Sequence, residues 1–172
     1  MLLRTAHILL ATLLSLSFTS AAQSPGKTIF IPGKAESSYA RYHYAPAIRV
    51  GDMVIISGIP AGGPGSYSEQ VRRMLVRAKE TLEVAGATMA DVVEIQSFHV
   101  NARSSAEFQT ELADFLTVHK EFFNDAYPAW TAIGNSVLLS PGAVVEVRFV
   151  AYIGAGKQAK VVHVPAPAVV TK

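Results

Sequence analysis

The chain has 172 residues, half of them apolar, with 15 Lys and Arg against 13 Asp and Glu and no cysteine. One ordinary domain fits that length. A net charge of +2 gives no electrostatic footprint for nucleic acid, which needs clustered Lys and Arg to release phosphate counterions. The lack of cysteine excludes disulfides, a thiolate nucleophile and Cys-based zinc or iron–sulfur sites.

The first 22 residues carry a lone cation at Arg4, an apolar run from Ala6 to Phe18 and the small residues Ser20, Ala21 and Ala22. That pattern predicts a secretory signal peptide cleaved before Gln23. The run is too short for a comfortable membrane span, so no stable anchor is expected after cleavage, and the destination is the periplasm or the medium. About 150 residues remain, a size that buries roughly 68–70% of its unfolded surface and needs no covalent staple.

Ser24 to Ser38 is rich in Ser, Gly, Lys and Pro around the apolar run Thr28 to Ile31, which predicts a short, loosely held strand. Pro46 to Val50 and Met53 to Ile59, divided by Gly51-Asp52, read as a hairpin. Pro60 to Gly65 is a loop. From Ser66 the apolar residues Val71, Met74, Leu75, Ala78, Leu82 and Ala85 keep the spacing of one helix face. Ser66 with Glu69 fits a capping box, and Gly86 a helix end. The basic residues on that helix, Arg72, Arg73, Arg77 and Lys79, lie among Glu69, Glu80 and Glu83 and read as a solvated face.

A strand follows from Val92 to Val100. Ser104 with Glu107 repeats the capping signature, and Phe108, Leu112, Phe115, His119 and Phe122 mark a second amphipathic helix to about Phe123, stopped by Asn124-Asp125. Trp130 to Leu138 and Val144 to Ile153, divided by Leu139 to Gly142, read as a second hairpin. Gly154 to Lys172 has no period and reads as a flexible extension. The order ββ, α, β, α, ββ defines an α+β domain over residues 23–153, with a mixed sheet and two helices on one face.

Alternation along the last strand puts Val145, Val147, Phe149, Ala151 and Ile153 on one side and Val144, Glu146, Arg148, Val150 and Tyr152 on the other. The wholly apolar side suits the helices. The second side is half apolar and predicts burial against further subunits. The histidines at 43, 99, 119 and 163 show no HxH or HExxH spacing, so no metal is expected. His119 reads as a packed, hydrogen-bonded residue, and His99 falls in a strand interior. The glycines of PAGGPGS lack the Lys-Ser/Thr ending of a phosphate cradle, and no cofactor is expected. Ser57 lacks a nucleophile elbow and reads as a ligand contact.

Taken together, VGDMVIISGIP after Tyr44, LEVAGATMADVVEIQSFHV, EFF, YPA and GAVVEV resemble the RidA family, also called YjgF or the L-PSP endoribonuclease family. The resemblance covers most of the chain after the leader. It implies a chorismate-mutase-like α+β fold, a homotrimer, and small-molecule sites in clefts between subunits. It also implies hydrolysis of enamines and imines to 2-oxo acids and ammonia. In that chemistry an arginine straight after the Pro-Ala pair grips the substrate carboxylate, and a glutamate on the last strand positions water and handles protons.

By this resemblance Glu146 is the catalytic glutamate, and Tyr44 and Ser57 are substrate-binding. The arginine position holds Trp130, whose indole offers one N–H donor and no charge. The asparagine often found in the second helix falls on Leu116, which makes the pocket more apolar. Trp130 therefore offers a flat face for a cyclic ligand or a cation. Arg148, two residues past Glu146 on the same strand face, either pairs with Glu146 or its symmetry mates or replaces the lost carboxylate anchor. The resulting expectation is an exported small-molecule-binding protein, either a divergent hydrolase or a non-catalytic binding or protective module. Nothing in the sequence recommends a ribonuclease.

Overall fold

In a computed structural model, residues 24–166 are described. The expected leader and the last residues of the expected extension lie outside them. Six strands form one sheet: β1 (Lys27–Phe30), β2 (Ala47–Val50), β3 (Met53–Ala61), β4 (Val92–His99), β5 (Ala129–Gly134) and β6 (Val145–Tyr152). Their order is β1-β2-β3-β6-β4-β5, antiparallel throughout except for the parallel pair β4 and β5. The expected first hairpin is β2–β3.

The second expected hairpin does not form. β5 stops at Gly134 and pairs only with β4, whereas β6 is inserted between β3 and β4. The reason is in the strands themselves. β6 carries Val145, Val147, Phe149 and Ala151 as an unbroken buried row, and the middle of a sheet is where such a row is covered best. β5 has no fully buried residue and takes an edge beside β4, reached by a helical crossover.

Among the described residues there are three α-helices, not two: α1 (Glu36–Tyr42), α2 (Tyr67–Val84) and α3 (Ser105–His119). α1 buries no side chain, so its seven residues leave no amphipathic signature. α2 begins as its sequence dictates. The Ser66 N–H donates to Glu69 Oε2 at 2.7 Å and the Glu69 N–H to Ser66 Oγ at 3.4 Å, and Gly86 ends the turn at φ +91°, where a Cβ is disfavoured. Its cations are spent on the chain: Arg72 clasps Glu121 at 2.8 and 2.6 Å, and Lys79 pairs with Glu83 at 3.6 Å.

α3 departs from expectation at both ends. Glu107 donates its N–H to Ser104 Oγ at 3.3 Å, but its carboxylate accepts from the Arg103 N–H at 2.9 Å, so the reciprocal half of the cap is missing. The helix stops at His119, and the N–H groups of Phe122 and Phe123 turn back onto the His119 carbonyl. This tightened turn presses Phe123 into the core, where it is 5% exposed. The buried face of α3 is Glu111, Phe115, Val118 and His119; Phe115 and His119 of the expected stripe lie on it, Phe108 and Leu112 are half-buried beside it, and Glu111 and Val118 join it.

Beyond β6, Gly154 and Gly156 donate their N–H groups to Asp91 Oδ1 at 2.9 and 3.1 Å, and Thr88 donates to Asp91 Oδ2. This buried carboxylate ties the turn Ala155–Gln158 to the loop before β4. The packed part of the chain thus continues a few residues past residue 153.

Candidate functional site

The register of β3 against β6 slips between Ile56 and Ile59, which leaves Ser57 and Gly58 in a bulge. Bulges re-aim side chains and bend the strand. Ser57 uses both polar groups to hold the neighbouring segment: Oγ donates to the Ala45 carbonyl at 2.7 Å, and N–H to the Pro46 carbonyl at 3.0 Å. Tyr44 is thereby fixed beside the bulge. Tyr44 and Ser57 line one cavity of about 560 Å³ together with Gly33, Gly58, Arg77 and Thr81. Arg77 reaches over it to donate to the Pro60 carbonyl.

Glu146 sits on the far side of the same bulge. It lies opposite Pro60 of β3 and Phe98 of β4, and no hydrogen bond to its carboxylate is present among the described residues. Burial pushes its carboxyl above the usual range, the direction a general acid at neutral pH requires. The space it fills exists because residue 58 is glycine. A Cβ there would run into Glu146 Oε1 and lie 2.7 Å from Cδ.

Arg148 does not reach Glu146. Its Nη1 lies 3.7 Å from Glu94 Oε1, and Gln96 donates to the same oxygen at 2.7 Å. Arg148 is part exposed, and a pair of this kind contributes little to stability.

Trp130 faces the other way. It is opposite Ile95 in the parallel pair and packs against the core. Its ring is stacked on His119 at 5.0 Å and 11°, and tilted against Phe115 at 5.4 Å. The indole Nε1–H donates to Ser97 Oγ at 2.9 Å, so its one donor is already used. Three strand spacings, about 14 Å, separate β5 from β3. Within one chain the structure groups Tyr44, Ser57, Gly58 and Glu146 around the bulge, and holds Trp130 apart on the opposite face of the sheet.

Behind Trp130 lies a buried polar chain that sequence reasoning passed over. His99 Nε2 is 3.0 Å from Ser97 Oγ, and His99 Nδ1 is 3.1 Å from Glu111 Oε1. Ser97 and His99 are fully buried, and Glu111 is 9% exposed. The signal available was Ser97 and His99 at alternate positions on the apolar face of β4, with Glu111 one turn before Phe115. The spacing is that of a nucleophilic triad, but no substrate reaches a fully buried Ser97 whose oxygen already accepts the indole N–H. Among the described residues no cluster of three metal-ligating side chains is present.

Residues 35–153 match the family described as Endoribonuclease L-PSP, and the chain belongs to this RidA/YjgF/L-PSP family. The RutC family protein YjgH of Escherichia coli (strain K12) is 32% identical over 133 residues, covering 74% of this chain and 95% of that protein. A solved member of the YjgF/YER057c/UK114 family from Mycobacterium tuberculosis is similar with a TM-score of 0.64 at 26% identity, covering 74% of this chain and all of the other. RidA from the Antarctic bacterium Psychrobacter sp. PAMC 21119 is similar with a TM-score of 0.56 at 26% identity, covering 64% and 88%.

Two outcomes follow from this geometry. Gly58→Ala is expected to keep the fold, since the obstructed atoms belong to a side chain that can swing, and to push the Glu146 carboxyl toward water. In a carbon-13 NMR titration Glu146 then titrates closer to its ordinary value of 4.5 in the variant than in the wild type; identical curves would show that Gly58 does not set its position. His119, buried between Phe123 and Trp130, has its pKa lowered by burial from 6.5 to about 4. The unfolded chain therefore binds the extra proton first, and stability is full above pH 6.5 and falls as the pH drops from there toward 4. Between pH 7.5 and pH 5 this costs about 2 kcal/mol, and His119→Phe is expected to remove that share of the loss in urea unfolding.

Proposed function

We propose that the protein is an exported homotrimer that binds a small organic substrate in clefts between subunits and hydrolyses it with Glu146 as the acid/base. The substrate class is an enamine or imine. Water adds to the C=N carbon, the C–N bond breaks, and nitrogen leaves as ammonia with the proton Glu146 returns to it. The observation that carries this reading is the Glu146 carboxyl, partly buried, without a hydrogen-bond partner among the described residues and pushed toward its protonated form.

Assembly is supported by the outer face of the sheet. Val150 and Tyr152 and their β3 partners Ile55 and Met53 make an apolar strip that one chain covers only in part, with Tyr152 53% exposed. It is supported also by the placement of Glu146 and Trp130 on opposite faces, since a second copy can supply to one cleft what a single chain cannot. Trp130 stands, in this reading, where the family's carboxylate-gripping arginine stands, so the substrate is one that needs no such grip. Export rests on the leader-like first 22 residues.

A non-catalytic binding module is the second reading. It is favoured by the commitment of the Trp130 N–H to Ser97, which leaves the indole no donor for a substrate carboxylate, and by Arg148 lying toward Glu94 rather than Glu146. One assay separates the two. Given an imine generated in place by an amino-acid dehydratase, the hydrolase releases ammonia above the spontaneous rate and Glu146→Gln loses about 10²-fold or more of that excess. A wild-type rate equal to the spontaneous one would leave the binding module standing.

A further inference from the structure

The buried polar chain behind Trp130 has a direction, which follows from the donor inventory together with the acceptors within reach. An indole N–H can only donate, so Ser97 Oγ accepts at 2.9 Å. Ser97 places its own hydrogen elsewhere, and among the described residues His99 Nε2 at 3.0 Å is the one hydrogen-bond partner left to take it. Nε2 is therefore unprotonated, the ring proton sits on Nδ1, and it points at Glu111 Oε1, 3.1 Å away. Every hydrogen runs one way, from Trp130 through Ser97 and His99 to Glu111.

We infer that Ser97, His99 and Glu111 are positioning residues that set the plane of the Trp130 indole, so that the β5 edge offers a cleft the rim of a fixed, neutral ring suited to a planar, uncharged aromatic or heteroaromatic ligand. The ring is held at two points that together define its plane. The Ser97 bond fixes its edge, and the stack on His119, itself stacked on Phe123 at 4.4 Å and 17°, fixes one face. Leu116, on the helix beside it, is 43% exposed and adds apolar surface without charge. Trp130 as a whole is only partly buried, on an edge strand.

The burial explains why three polar groups are kept in a core. A buried polar group without a partner costs about 1–3 kcal/mol, so Ser97, His99 and Glu111 persist together or not at all. Protonation of His99 would break the order. Two N–H groups would then point at Ser97 Oγ, and the serine hydrogen would have no acceptor among the described residues. Burial, the largest influence on His99, pushes it away from that protonated form, against the pull of Glu111.

The ligand class rests on the cleft reading given under Proposed function, whereas the positioning role does not, and the test reads them separately. Nitrogen-15 NMR of the wild type at pH 7 is expected to show His99 as the neutral tautomer protonated on Nδ1; the Nε2-protonated tautomer or an imidazolium would overturn the relay without any variant. Trp130 is the only tryptophan, so its emission reports its plane and surroundings. His99→Phe and Ser97→Ala are expected to red-shift that emission and raise its quenching by acrylamide. His99→Gln, whose amide keeps one acceptor for Ser97 and one donor for Glu111, restores wild-type behaviour.

Unchanged spectra in His99→Phe would overturn the positioning role. Benzamide and cyclohexanecarboxamide are the paired probes for the ligand class. Wild type is expected to bind the flat one about fivefold more tightly, and His99→Phe and Trp130→Ala to lose the preference while His99→Gln keeps it. Equal affinity for the two probes in the wild type would overturn the ligand class, whatever the ammonia assay gives.

Discussion

The pleat of β6 is the constraint from which the rest follows. Side chains along a strand alternate between faces, and in β6 one face is Val145, Val147, Phe149 and Ala151, each fully buried. Covering that row requires the helical layer on one side and neighbouring strands on both edges, which fixes β6 in the middle of the sheet. The same alternation leaves Glu146 and Arg148 no choice but the opposite face. A carboxylate is held there at the cost of partial desolvation because the β3 bulge and Gly58 make room for it.

Polar chemistry on the helical side is of a different kind. Glu111 occupies a core position of α3 and His99 a core position of β4, and neither would be stable alone. Each is buried because the other is. Their pairing, extended through Ser97, ends on the one tryptophan and converts a core network into a constraint on an edge strand. Two faces of one sheet thus carry two unlike devices: an acid facing outward with no hydrogen-bond partner among the described residues, and an oriented ring at the rim of the helix layer.

Much of this was legible in the sequence. The capping pair Ser66 and Glu69, the helical period of α2, the hairpin β2–β3 and the two faces of β6 all read directly, because each is a local pattern whose partner lies within a few residues or one pleat. What escaped is non-local. α1 buries nothing and so has no period. The insertion of β6 between β3 and β4 depends on competition among strands, which adjacency in sequence misjudges as a hairpin. Glu111 broke the stripe on α3 because its burial is repaid by His99, twelve residues earlier. The expected site residues rest on their types and on a resemblance, and their faces were not legible: the opposition of Trp130 and Glu146 needs the register of β5 on β4.

In the proposed reading the outward acid and the oriented ring meet only when copies of the chain assemble. The most direct measurement is an experimental structure of the assembled protein in solution conditions, by crystallography or electron cryomicroscopy. The account predicts three subunits with Glu146 of one and Trp130 of a neighbour bordering the same cleft. A single-subunit particle, or an assembly in which no neighbouring sheet comes near Trp130, would contradict it.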